Sequence, residues 1–312
     1  MPTRLAIFFS LSFASAALLS ACAGGNQIQA TAPGRLRVIA TTNILGDVVQ
    51  NVAGEAADVT VLLPPGADPH SFEPTPQEVA AVARADLVFA NGLGLEIFLE
   101  RLIQNAAEGA RMVTVSEGII PLEPLAEQVQ DEHALPESGD PHVWMDPHNV
   151  LVWAENIAAA LGERDPANAS AYLANAAAYQ AALLELDGWI ARQVESIPPD
   201  NRELVTDHLA FTYYARRYGL SEVGAVAPAT STLAEPSAQE LAALEDAIRS
   251  LNVQAIFYSS TVNPTLARRI AADSGVELVQ VYTSSLSEPG GPAEDYLMMM
   301  RYNTNAIVQA LR

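Results

Sequence analysis

From Arg37 onward, short β-branched runs alternate with stretches whose apolar residues recur at helical spacing. Arg37–Thr41, Val59–Leu63, Leu87–Ala90 and Met112–Val115 predict strands, with helices predicted between them at Ile44–Val52, Pro76–Arg84 and Leu95–Ala107. The same order returns after residue 200. Strands are predicted at Glu203–Thr206, Glu222–Val226, Ala255–Tyr258 and Leu278–Tyr282, and helices at Ala210–Tyr218, Ala238–Leu251, Thr265–Ser274 and Asp295–Leu311. The expected fold class is therefore α/β, with two β/α lobes of parallel-rich sheet over residues 36–165 and 198–312. Between them, residues 166–197 are rich in alanine and leucine, carry no proline after Pro166, and stop at Pro198-Pro199. One helix of that length would run about 45 Å, enough to cross both lobes and limit hinge motion. Two open sheets facing each other place a ligand crevice at the carboxyl ends of their strands.

The chain begins differently. Arg4 precedes an apolar run from Leu5 to Leu19, followed by Ser20-Ala21-Cys22, so residues 1–21 read as an export signal. Leu19-Ser20-Ala21-Cys22 resembles a bacterial lipobox, which makes Cys22 the expected lipidation site and new N-terminus. Residues 22–35 are small, polar and Gly/Pro-containing, as a flexible tether requires. No later stretch reaches the roughly 18 apolar residues of a spanning helix. The expected location is extracytoplasmic, with a lipid anchor in the cell membrane. Cys22 is also the single cysteine, so the mature chain has no internal disulfide, and any metal site must draw on His, Asp or Glu.

Composition narrows the partners. Half of the 312 residues are hydrophobic, sufficient for well-buried lobes. The net charge is −21 and every basic residue is arginine, which argues against nucleic acid or an anionic membrane surface as a partner. An acidic surface suits a protein that handles cations, and equally a secreted protein that must stay soluble.

Three of the five histidines sit just after a predicted strand or in a proline-stiffened loop. His70 lies in LLPPGADPHSFEPTP, His142 in GDPHVWMDPHNV with Trp144 close by as an apolar wall, and His208 in ELVTDHLAF. Imidazole suits borderline-soft divalent cations better than calcium or magnesium, which take oxygen cages. Three histidines thus point to a transition metal. Glu73 and Asp207 are candidate acceptors for the second ring N–H of metal-bound histidines. His148 reads as the start of a helix, and the acidic loop from Gln128 to Asp140, holding only His133, as a solvated segment.

The strings GADPHSFEPTPQEV, DPHVWMDPHNV and TDHLAFTYYARRYGL resemble, in order and spacing, signature segments of the zinc- and manganese-binding proteins of bacterial ABC importers. That family includes lipoproteins once called adhesins, and the likeness runs to the tail YLMMMRYNTNAIVQAL. The resemblance implies two β/α lobes joined by a long helix, a metal between them, and His70, His142 and His208 as ligands. It implies a membrane permease and its ATPase subunit as partners, a monomeric receptor, and no enzymatic activity. In the family, zinc binders tend to carry histidine at the third ligand position and manganese binders a carboxylate, so zinc is the expected cargo and manganese or iron the alternative. One departure stands out. Where the family has Thr-Asp-Ser-Leu with a ligating Asp, this chain reads Thr283-Ser284-Ser285-Leu286. Ser284 leaves the fourth position to water, to a carboxylate from elsewhere, or to its own hydroxyl through water. Three histidines with an open fourth position also describe a zinc hydrolase or lyase, a rival reading weakened by the lack of an evident general base.

Overall fold

The computed structural model describes residues 34–96, 111–123 and 139–312. The signal segment, Cys22, nearly all of the tether, most of the helix predicted at Leu95–Ala107, and the acidic loop with His133 lie outside the described residues. The first lobe contains β1 (Leu36–Ala40), α1 (Asn43–Ala53), β2 (Ala57–Val61), α2 (Pro76–Val82), β3 (Leu87–Ala90) and β4 (Arg111–Thr114). After it come α3 (Pro147–Arg164) and the long α4 (Ala169–Val194). The second lobe contains β5 (Glu203–His208), α5 (Thr212–Tyr218), β6 (Ser221–Ala227), α6 (Ala238–Ser250), β7 (Ala255–Ser259), α7 (Thr265–Ser274), β8 (Glu277–Val281) and α8 (Tyr296–Leu311).

Both sheets are wholly parallel and share one strand order, β2-β1-β3-β4 and β6-β5-β7-β8. Parallel sheets need cover on both faces, and β3 meets that demand with four buried residues, Leu-Val-Phe-Ala. In each sheet the winding reverses beside the first strand, between β1 and β3 and between β5 and β7. Loops diverge there at the carboxyl ends, where a small ligand can enter.

Local chemistry sets the helix starts. Thr75 with Glu78 and Ser237 with Glu240 form reciprocal capping boxes, and Asp146 and Asp295 accept amide hydrogens of the first turns of α3 and α8. Gly46 allows α1 to lie against β2, because a Cβ there would meet a Val61 methyl at 2.4 Å. Several predicted boundaries move by one or two residues, and two of them have a clear local setting. The strand expected from Val59 begins at Ala57, where Arg35 ties down Ala57 O and the Asp58 carboxylate. The helix expected from Ala210 begins at Thr212, and the Glu222 carboxylate accepts the amides of Ala210 and Phe211 just ahead of it.

The expected linking helix is present as α4, 26 residues long. Its inward residues Tyr172, Ala176, Tyr179, Leu183, Leu186, Ile190 and Val194 recur at three- and four-residue steps. This stripe packs on α1 and α3 from the first half and on α5 and α8 from the second. One hydrophobic core consequently runs unbroken from Val38 through α4 to Leu311, while the outer faces of the two sheets keep separate smaller clusters. A hinge between the lobes would have to shear this shared core.

Asp47 of α1 sits at the junction of α1, α4 and α8. Its Oδ2 accepts the Tyr296 N–H at 3.1 Å and the Tyr179 hydroxyl at 3.4 Å. Burial pushes its pKa up to about 6, more than those hydrogen bonds pull it down. A carboxyl raised in the fold binds its proton more tightly there than in the unfolded chain. Its stabilising contribution is complete below the unfolded value and fades as pH rises through about 6. Asp47→Asn is therefore expected to gain on the wild type by about 3 kcal/mol between acid and neutral pH in urea unfolding, a gain absent if Asp47 is solvated.

Candidate metal centre

Each of the three histidines is delivered by a different backbone device. His70 ends a loop after β2 in which Pro64, Pro65 and Pro69 restrict the chain, and its N–H donates to Asp68 Oδ1 at 3.1 Å. His142 is wholly buried ahead of a single 3-10 turn, Val143–Met145. Its backbone N–H donates to Asp140 Oδ1 at 2.9 Å, and its Nδ1 lies 2.8 Å from the same oxygen. His208 is the last residue of β5, with N–H and Nδ1 at 2.9 and 3.0 Å from Asp207 Oδ1. Asp207 is itself fixed through Oδ2, which accepts the Ser259 N–H at 2.9 Å.

The rings converge. Centroid separations are 5.4 Å between His70 and His142, 5.6 Å between His70 and His208, and 5.2 Å between His142 and His208. One nitrogen from each lies within 4.8 Å of the others. All three Nε2 atoms are buried with no hydrogen-bond partner among the described residues. With Nδ1 turned to a carboxylate in His142 and His208, Nε2 carries the lone pair that faces the centre. Buried imidazole nitrogens left without donors are costly unless something accepts their lone pairs, and a divalent cation does so at about 2.1 Å. Among the described residues no carboxylate joins the three nitrogens.

The centre is closed by contacts between lobes. Trp144, 5.2 Å from the His142 ring, donates its indole N–H to Thr283 O at 2.8 Å. Ser285 Oγ accepts from Asn43 Nδ2 and from Gly66 N, both at 2.8 Å, and Asn43 Oδ1 accepts the Leu286 N–H. Thr232 donates its hydroxyl to Asp68 Oδ2, and Tyr213 donates its own to Asp140 O at 2.8 Å. Ser284 is buried in the same loop, its hydroxyl 3.3 Å from that of Thr283.

Electrostatics separate the rings. Burial holds His70 and His142 well below the usual histidine pKa, assisted by repulsion from neighbouring imidazoles. Burial also opposes charge on His208, but the Asp207 charge and hydrogen bond outweigh it, and its pKa is raised. Asp140 is pushed up to about 7 by burial, against the pull of the His142 N–H.

The structure brings His70, His142, His208 and Asp207 together as the sequence leads one to expect. Glu73 is exposed and makes no hydrogen bond to His70 among the described residues; the carboxylate beside that histidine is Asp68. Asp140 was missed. A signal for both was visible, because each histidine of the trio follows an aspartate by one or two residues: Asp68-Pro-His70, Asp140-Pro-His142 and Asp207-His208. His148 does open a helix, at the second position of α3, and lies apart from the trio beside Arg217, 3.0 Å from Nε2.

Two doubly wound lobes, joined by one helix and shut over a buried trio of imidazoles, define a two-lobed metal receptor. The chain belongs to the ZnuA family, described as the periplasmic component A of the zinc-uptake complex, which matches residues 38–310. The manganese-binding lipoprotein MntA of Halalkalibacterium halodurans is 36% identical over 307 residues, covering 98% of each chain. A manganese-bound mutant of a periplasmic metal-binding protein from Candidatus Liberibacter asiaticus superposes with a TM-score of 0.80 at 30% identity, over 89% of this chain and 100% of that one. The periplasmic zinc-binding protein TroA of Treponema pallidum also gives 0.80, at 27% identity over 89% and 99%.

In the metal-free protein, imidazole NMR during acidification should show His208 protonating first, above the usual histidine range, and His70 and His142 only well below it. Simultaneous titration of all three near the ordinary value of about 6.5 would contradict this ordering. Stability should correspondingly fall as pH drops below about 6.5, where the unfolded chain takes up the protons that buried His70 and His142 refuse.

Proposed function

We propose that the chain is the extracytoplasmic receptor of an ABC importer for a transition metal, held to the membrane through lipidated Cys22, with His70, His142 and His208 as the protein ligands and manganese as the cargo. The observation that carries the reading is the convergence of three buried, unpartnered Nε2 atoms from both lobes. Asp140 and Asp207 orient two of the rings, and Ser284 in place of an aspartate leaves the fourth position to water. No bond is made or broken; the relatives are substrate-binding lipoproteins, not enzymes. The monomer captures the ion, and the closed lobes dock on a permease served by an ATPase subunit. No described helix is long and apolar enough to cross a membrane, in keeping with anchorage by lipid.

Manganese is favoured over zinc by the names of several relatives, MntA and the streptococcal PsaA lipoproteins. Zinc is the second reading, supported by the all-imidazole donor set and the likeness to TroA. Affinity alone does not decide between them, because nitrogen sites bind zinc more tightly than manganese whatever their biological cargo. The receptor should bind both ions, zinc more tightly, and His142→Ala should lower either affinity by at least about a hundredfold in calorimetric titration. Saturating metal should raise stability by about 4 kcal/mol at a thousandfold excess over Kd. Cargo is read in cells. A strain lacking the receptor should lose manganese uptake and recover growth with added manganese; recovery with zinc alone would transfer the assignment to zinc. Failure of the protein to bind either ion would remove the three-histidine site.

A further inference from the structure

Behind the histidines lies a second tier of buried carboxylates, and one of them gathers the segment that carries His208. Glu222, on β6, is 4% exposed. Its Oε1 accepts from Thr206 Oγ1 at 2.8 Å, Ala210 N at 3.3 Å and Phe211 N at 3.2 Å, and its Oε2 from Thr212 Oγ1 at 3.1 Å. All four donors come from the segment 206–212, which has His208 near its middle. The two amides lie just ahead of α5, where no helical carbonyl can accept them, so the carboxylate holds the turn that follows His208.

Two further features point the same way. β6 carries one extra residue, Val223, opposite the step from Leu204 to Val205, a bulge that re-aims the neighbouring Glu222 side chain. The first lobe repeats the device. Buried Glu96 accepts from Thr41 Oγ1 and Asn91 N, both at 2.7 Å, and from Gly92 N at 3.0 Å; Asn91 Nδ2 then donates to Pro141 O, the residue before His142. Each lobe thus uses one buried glutamate to gather two consecutive amides, with one hydroxyl on Glu96 and two on Glu222. Thr212 donates its hydroxyl to Glu222, and the next residue, Tyr213, donates its own to Asp140 O at 2.8 Å, the aspartate that holds His142.

We infer that Glu222 is a positioning residue of the metal centre, which holds His208 through the turn 210–212 and, through Tyr213 at the end of that turn, ties it to the Asp140–His142 pair of the opposite lobe. This rests on the metal-receptor reading. It adds a residue that touches no ligand ring yet sets the spacing of two of them.

The test is calorimetric titration of the metal-stripped mature chain with Zn(2+) and with Mn(2+), in the wild type, Glu222→Ala, Glu222→Gln, Thr212→Val and Ile270→Ala, well below every melting temperature. Ile270 is buried in the outer core of the second sheet and serves as a control for destabilisation alone. Glu222→Ala is expected to weaken both affinities by about 10- to 100-fold, and Thr212→Val by several-fold. Glu222→Gln should recover most of the loss, because the amide oxygen still accepts from the turn. Ile270→Ala should lower the melting temperature without moving the affinity. Wild-type affinity in Glu222→Ala, or an equal loss in Ile270→Ala, would overturn the inference. If Glu222→Ala does not fold, unaltered affinity in Thr212→Val overturns it. A wild type that binds neither ion would instead overturn the metal-receptor reading, and this inference with it.

Discussion

Three imidazole lone pairs brought together in a space closed to water set the terms for the rest of this structure. Each buried nitrogen without a partner costs about 1–3 kcal/mol, and the three stand against one another as well. Such an arrangement persists only if the surroundings fix every ring independently of the ligand. Here the fixing is done by short Asp-to-His hydrogen bonds, by prolines that stiffen the His70 loop, and by the end of strand β5 at His208. The rings are thus held by the protein's own groups, and the three Nε2 lone pairs are left facing one another.

The architecture meets the demand for closure from both sides. Parallel sheets with identical winding place their diverging loops at facing carboxyl ends, and α4 knits the inner faces into a single core. The loop Thr283–Leu286 of the second lobe then bonds to Asn43, Gly66 and Trp144 of the first, while Thr232 reaches Asp68. Relatives named for manganese and for zinc superpose equally well on this scaffold, each at a TM-score of 0.80. The scaffold therefore does not choose the metal.

Buried acids recur around the site: Asp140 and Asp207 against the rings, Glu222 and Glu96 behind the loops. Burial drives both Asp140 and Glu222 up to about 7, the mark of carboxylates kept in place against the stability of the folded state. Apolar residues would fill the same volume with less penalty. What they would not do is hold a specific turn: Glu222 accepts two amides just after His208 that have no helical partner.

Hydrophobic periodicity in the chain already determined the two lobes, the long helix and nearly every strand, because alternation and helical spacing are local properties that burial on a sheet or core enforces. The three histidines were legible too, each marked by a preceding aspartate and by a strand end or a proline-stiffened loop. Tertiary structure decided what no local pattern contains. It placed nitrogens from residues 70, 142 and 208 within 4.8 Å, turned Glu73 to solvent and chose Asp68 and Asp140 instead. It also committed two amides of a predicted helix to a glutamate on the neighbouring strand. The physical reason is common to all of these. A hydrogen bond or a coordination set between distant residues depends on distances fixed by packing, and packing is a property of the whole fold.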